Sequence, residues 1–193
     1  MAYKNFKVET DADGIAVVTW DIPGKSMNVL DETTGLELAD IVNATTKDAA
    51  IKGVVLTSGK EAFSGGADLT MLEGMNRAYL ELLKSKGEEA ANIYVFEEVR
   101  KLSQTLRNIE TSGKPWVAAI NGLAFGGAFE LALACHYRIA SENPKTRLGL
   151  PEVKVGLFPG GGGTQRLPRM IQPMEALQML LKGDAIDLVK ARS

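Results

Sequence analysis

An α/β domain is predicted for this 193-residue chain by three features of its sequence. Short runs rich in valine and isoleucine alternate with longer segments that carry apolar residues at helical spacing. Glycine-rich turns stand between strand and helix at two places, residues 64–66 and 122–127. No fixed-period repeat or low-complexity linker divides the chain, and its length suits one domain with a sizeable core.

The stretches 14–21 (GIAVVTWD) and 51–58 (IKGVVLTS) are bounded by turn residues and read as strands. Between them a helix is expected over 31–45, capped by Asp31, with Leu36, Leu38, Ile41 and Val42 as its apolar stripe. After the turn 64–66, a helical stretch begins at about Leu69 and blurs into the polar segment 84–89, which reads as a surface excursion. A longer helix, 93–109, carries Val95, Val99, Leu102 and Leu106 at core spacing and ends before Gly113 and Pro115. The buried strand 116–121 (WVAAIN) leads through Gly122, Gly126 and Gly127 into an apolar helix, 128–135. Two further strands are expected at 137–140 and 147–150, followed by the glycine run 160–163 and a helix over 173–181 that opens on Pro173.

Composition narrows the function classes. An apolar fraction of 45% with 24% charged residues is that of an ordinary globular domain, and a net charge of −2 offers no broad basic surface for a nucleic acid. The first fourteen residues are polar, and no apolar run approaches the roughly 20 residues a bilayer requires, so no membrane span and a cytoplasmic location are expected. Cys135 is the sole cysteine, which fits a reducing compartment, and it reads as a small buried hydrophobe. His136 is the sole histidine, so no second imidazole is available for a metal cluster, and no metal site is expected.

The two glycine turns, 64–68 (SGGAD) and 122–127 (GLAFGG), leave backbone N–H groups uncovered near helix starts, and such groups bind oxyanions. Converging on one thioester carbonyl, they would polarise it and hold the enolate formed when a nucleophile adds to the β-carbon. Taken alone, glycine turns are common, and plain tight turns account for the same residues more readily. Glu130, in the first turn of its helix, and Glu152, just after a strand, are the kind of pair that can take a proton from water and deliver one to carbon. A helix-dipole contact for Glu130 and a solvated loop charge for Glu152 are the alternatives. The segment 23–26 (PGKS) is not a phosphate-binding P-loop, because position 19, where that motif needs glycine, is Thr19. The run 160–163 lacks the spaced glycines and the following acidic residue of a dinucleotide site.

Residues 120–135 (INGLAFGGAFELALAC) strongly resemble the signature of the crotonase, or enoyl-CoA hydratase/isomerase, family. The likeness extends upstream through 62–69 (AFSGGADL) and downstream through 150–153 (LPEV) and 156–169 (GLFPGGGGTQRLPR). It implies a crotonase-like spiral of ββα units, an oxyanion hole on the N–H groups of Ala67 and Gly127, and catalytic carboxylates at Glu130 and Glu152. Gly66, Asp68 and Gly126 are implied to lie beside the substrate. The implied activity is hydration of a trans-2-enoyl-CoA to a 3-hydroxyacyl-CoA in fatty-acid β-oxidation, with Glu130 activating water and Glu152 protonating the α-carbon. Isomerisation of a 3-enoyl-CoA and non-catalytic acyl-CoA binding are the rival readings, and the presence of both glutamates favours hydration.

Coenzyme A enters as part of the acyl-CoA substrate, and no separate cofactor is implied. Lys25 and Lys60 are candidate contacts for it and equally ordinary surface charges. The stretches 135–138 (CHYR) and 143–152 (NPKTRLGLPE) look closest to family members in which a 3-hydroxyacyl-CoA dehydrogenase domain follows the hydratase, the one place where NAD is expected. A homo-oligomer or a place in a multienzyme complex is implied with it. Two features depart from the family pattern. The third glycine of its central run is Ala128, and Ser193 follows soon after 180–184 (LLKGD), where hydratases continue. The chain therefore reads as a hydratase domain, 1–193, truncated at its C-terminus, with a sticky apolar face at Leu177, Leu180 and Leu181.

Overall fold

The computed structural model describes residues 2–192. Its main sheet has five strands in the order β1-β2-β3-β4-β6, namely Phe6–Thr10, Ile15–Trp20, Gly53–Ser58, Trp116–Ile120 and Tyr137–Ala140. β1 pairs antiparallel with β2, and every other neighbour in that sheet is parallel. Two short strands, β5 (Ala124–Phe125) and β7 (Leu148–Gly149), form a separate parallel pair. Helices α1 (Glu32–Lys47), α2 (Leu69–Lys86), α3 (Glu88–Glu110), α4 (Gly127–Ala134), α5 (Gly163–Met170), α6 (Pro173–Lys182) and α7 (Leu188–Arg192) fill the connections.

Period-two burial sets the sheet against its core: Ala16, Val18 and Trp20 of β2 and Trp116, Ala118 and Ile120 of β4 point inward. Phe6 stacks on Trp20 with ring centroids 5.8 Å apart, and Phe63 meets Trp20 edge-on at 6.2 Å. Beneath the sheet lies α4, every residue of which is buried. A helix with no polar face has to be enclosed on all sides, and the one ionisable side chain on it, Glu130, is enclosed with it.

Asp31 caps α1 as expected, its carboxylate accepting from the Thr34 N–H at 2.8 Å. The stripe differs by one position: Leu38, Ile41 and Val42 are buried beside Thr34 and Thr45, whereas Leu36 is 62% exposed. The polar segment 84–89 is no loop. Lys86 ends α2 and Glu88 starts α3, with only Gly87, at φ 88°, between them. That conformation turns the chain back on itself within one residue. Along α3, Leu106 and Ile109 are fully buried, but Val95 is only partly buried and Val99 is exposed. On α6, Leu177 and Leu181 are exposed and Leu180 packs against the core.

Several elements are additional to those expected from sequence, among them the short strand β5 and the terminal helix α7. β1 lies in the polar N-terminal stretch, and α5 follows the glycine run despite carrying Pro168 inside it. The expected strand 147–150 contracts to Leu148–Gly149. Among the described residues, no helix is long and apolar enough to cross a membrane, and no group of three or more His, Cys, Asp or Glu is placed to hold a metal ion. Cys135 is buried, with its thiol pushed up to about 12 by burial, and His136 accepts the Trp116 N–H on Nδ1 at 3.1 Å.

Asn28, wholly buried, ties the end of β2 to the glycine turn after β3. Its side-chain oxygen accepts from the Ile22 N–H at 3.0 Å, and its amide donates to Trp20 O at 2.7 Å, Ser58 Oγ at 2.9 Å and Phe63 O at 3.3 Å. Its main-chain carbonyl accepts from Gly65 N and from Ser64 Oγ. Asn28→Ala strands several of these buried groups and is expected to cost roughly 2–4 kcal/mol in urea unfolding. A loss below about 1 kcal/mol would show that water or a rearranged loop replaces the bonds.

Candidate active site

The two glycine turns lie side by side. Ser64 N donates to Leu123 O, Phe125 N donates to Ser64 O, and Ser64 bridges Ala124 in parallel fashion. Gly66, at φ 96°, passes so close that a methyl group there would lie 2.8 Å from Phe125 O. Only glycine fits at that crossing.

This arrangement leaves two N–H groups facing away from their neighbours. Leu30 N donates to Gly66 O and Asp68 N donates to Leu30 O, so Ala67, between them, directs its own N–H away from the Leu30 strand. Gly127 is the first residue of α4, and helix starts carry N–H groups without an intrahelical acceptor. Gly126, at φ 54°, donates to Gly149 O and so turns the chain into the helix. The Asp68 side chain has a structural task, capping α2 through the N–H groups of Thr70 (2.9 Å) and Met71 (3.2 Å). Lys25 meets it at 3.2 Å, and that hydrogen bond holds its carboxyl below the usual range. Lys60 is likewise paired, with Asp21 at 2.5 Å.

Both glutamates converge on the second turn. Built onto Gly126, a methyl group would come within 3.2 Å of Glu152 Oε1, and on Gly127 it would lie 4.0 Å from Glu130 Oε2. Glu152 stands on a single 3-10 turn, Pro151–Val155, directly after β7, whose pairing with β5 brings it to the turn. Glu130 is 2% exposed. Its Oε2 accepts from Gly161 N at 3.0 Å and its Oε1 from Gly163 N at 2.7 Å. A methyl group on Gly161 would stand 2.7 Å from Oε2, so the run 160–163 must be glycine where it wraps the carboxylate. Reading the sequence alone left that run without a role, because the contact joins residues more than thirty positions apart. Apolar walls are supplied by Leu30 and by α3, where Leu102 and Leu106 approach Gly127 and Gly161.

The two carboxyls titrate differently from ordinary ones and from each other. Burial pushes Glu130 up, while the N–H groups of Gly163 and Gly161 and the charge of Arg166 pull it back. Glu152 is pushed up to about 7 by burial, with repulsion from Glu130 adding to it, and its Oε2 is buried without a hydrogen-bond partner. One carboxyl is thus supplied with donors suited to an anion, and the other is poised to carry a proton near neutrality.

Comparison with known proteins gives consistent likenesses. The family described as enoyl-CoA hydratase/isomerase matches over residues 10–192. The fatty acid oxidation complex subunit alpha of Shewanella frigidimarina is 45% identical over 185 residues, covering 95% of this chain and 24% of that one. The protein of the same name from Idiomarina loihiensis is 43% identical, covering 93% of this chain and again 24% of its own length. The chain therefore spans about a quarter of these relatives. Among solved structures, an enoyl-CoA hydratase from Bacillus anthracis superposes with a TM-score of 0.79 at 31% identity, covering 97% of this chain and 66% of that one. Pseudomonas aeruginosa DspI does so with a TM-score of 0.79 at 30% identity, covering 97% and 64%.

The raised Glu152 carboxyl has a measurable effect on stability. A carboxyl whose folded-state value lies above its unfolded value binds more protons when folded, so it destabilises the fold as pH rises from about 4.5 to about 7. Glu152→Gln removes that titration. Its stability relative to wild type is expected to climb across this window and level off above it in denaturant unfolding. A difference independent of pH would mean that Glu152 ionises as it does in the unfolded chain.

Proposed function

We propose, since the chain belongs to the enoyl-CoA hydratase/isomerase family, that it adds water across the double bond of a trans-2-enoyl-CoA in fatty-acid β-oxidation. The observation that carries this reading is the pair of carboxyls, buried Glu130 and half-buried Glu152, meeting at the turn where Gly127 opens its helix. In this reading the thioester oxygen sits between the N–H groups of Ala67 and Gly127. Water attacks the β-carbon while Glu130, whose two oxygens accept from the N–H groups of Gly161 and Gly163, takes its proton. The electron pair of the double bond moves toward the carbonyl, and the resulting enolate is held by the two N–H groups. The α-carbon then takes a proton from Glu152, whose carboxyl value of about 7 keeps that proton available at neutral pH. The product is the 3-hydroxyacyl-CoA.

Gly66 and Gly126 keep the backbone slim where the thioester would pass. Coenzyme A comes and goes with the substrate, and the chemistry needs no further cofactor. The relatives named as complex subunits support a place in a larger cytoplasmic assembly, as a homo-oligomer or a multienzyme component, where a dehydrogenase using NAD would take up the hydroxyacyl product.

Loss of crotonyl-CoA absorbance on adding the full-length protein tests the reading directly. Glu130→Gln and Glu152→Gln are each expected to slow hydration by roughly 10²–10⁴-fold with acyl-CoA binding retained, because each removes one proton-transfer group. Near-wild-type turnover in either variant would remove that residue from the mechanism.

A further inference from the structure

We propose that Arg166 is a positioning residue for the reaction, bridging the end of α3 to the glycine run so that Gly161 and Gly163 present their N–H groups to Glu130. The inference rests on the role proposed for Glu130. Arg166 lies in α5, and its side chain is only 12% exposed. Its guanidinium forks onto Glu110, with Nε to Oε1 at 2.7 Å and Nη2 to Oε2 at 3.1 Å, and Nη1 donates to Gly161 O at 2.6 Å. Each of its three nitrogens therefore donates, two to Glu110 and one to Gly161.

The geometry of Gly161 gives these bonds their consequence. The N–H of that residue belongs to the peptide unit before it and donates to Glu130, while its carbonyl belongs to the unit after it and accepts from Arg166. The peptide planes on both sides of one residue are fixed from opposite directions. Gly162 follows at φ 100°, and a methyl group there would fall 2.5 Å from Arg166 Nη1, so the absence of a side chain is what lets the guanidinium lie against the turn. The loop without Arg166 has a free carbonyl and three flexible glycines, and no other described contact fixes the carbonyl of Gly161.

Charge acts in the same direction as geometry. The groups that face Glu130 are Glu152 from the 3-10 turn and Arg166 from α5, and Glu110 on α3 stands behind Arg166. Burial pushes Glu110 up, but hydrogen bonds from Arg166 and Arg107 hold it below the usual carboxylate range, so it stays an anion and anchors the guanidinium. Arg166 in turn favours ionised Glu130 against the repulsion of Glu152.

A simple staple between α3 and α5 would affect stability only, and the test separates the two roles. In the full-length protein, Arg166→Met is expected to lower kcat for crotonyl-CoA roughly 10–100-fold while KM changes less than about twofold, and to move the acid limb of the kcat profile to higher pH. Arg166→Lys keeps the charge without the fork, so its acid limb should stay near wild type while kcat still falls. Glu110→Gln should lower kcat by less than Arg166→Met, and combining the two should be less than additive. An unmoved acid limb and unchanged kcat in folded Arg166→Met would overturn the proposal. If wild type itself shows no hydration, the proposed function fails, and the carbon-13 titration of the Glu130 carboxyl still decides the present point. Its midpoint should rise in Arg166→Met, and an identical midpoint would overturn the role of Arg166.

Discussion

Glu130 lies in a helix with no exposed residue, and a carboxylate in that position must be given hydrogen bonds or lose its charge. Much of the surrounding architecture follows from that requirement. The start of its own helix supplies no donor to it: Oε2 and Oε1 accept from Gly161 and Gly163 instead. A second segment therefore has to come within hydrogen-bond distance with bare backbone, and glycine is the residue that lets it. α5 begins at Gly163, so the loop that supplies donors to the carboxylate is also the start of the helix that carries Arg166.

The second carboxyl is treated in the opposite way. Glu152 sits after a two-residue strand that pairs with another of the same length and bridges to Ile186, and nothing among the described residues donates to its buried Oε2. Two like groups converging on Gly126 and Gly127 cannot both be comfortable as anions. The fold resolves the conflict by giving Glu130 the N–H groups of Gly161 and Gly163 and leaving Oε2 of Glu152 without a donor. That asymmetry, more than the presence of two glutamates, is what suits the site to moving a proton in one direction on each side of a substrate.

The sequence was informative wherever a local rule decides structure. β2, β3 and β4 are apolar runs between turn residues, Asp31 is a side-chain cap, and the glycine turns announce themselves, so these emerge from neighbours in the chain alone. The family resemblance then pointed to Glu130 and Glu152, which the structure brings to one turn. What escaped depends on distant partners. β1 is mostly exposed and gains its conformation by pairing with β2, so its apolar signal is slight. α5 follows three glycines, starts on a fourth, Gly163, and contains Pro168, all poor local signs of a helix, and it is held by Leu167 in the core and Arg166 on Glu110. Leu36 and Val99 have helical spacing but remain exposed in the fold. The task of Gly161 and Gly163 is visible only once Glu130 is in place, since spacing along the chain says nothing about a contact across the core.

α2 and α4 are opposites in how they are held. α4 is buried throughout, whereas α2, eighteen residues long, buries none of its side chains and leans chiefly on α3 across the single-residue reversal at Gly87. Helix stability in water comes mostly from tertiary burial, so the two should differ greatly in how often they open. Amide protons of α2 would exchange with solvent through local fraying that leaves the rest intact, and those of α4 only when the whole domain unfolds. A protease probing the native protein would meet the same hierarchy, cutting first near the Gly87 reversal while the segment bearing Glu130 stayed whole.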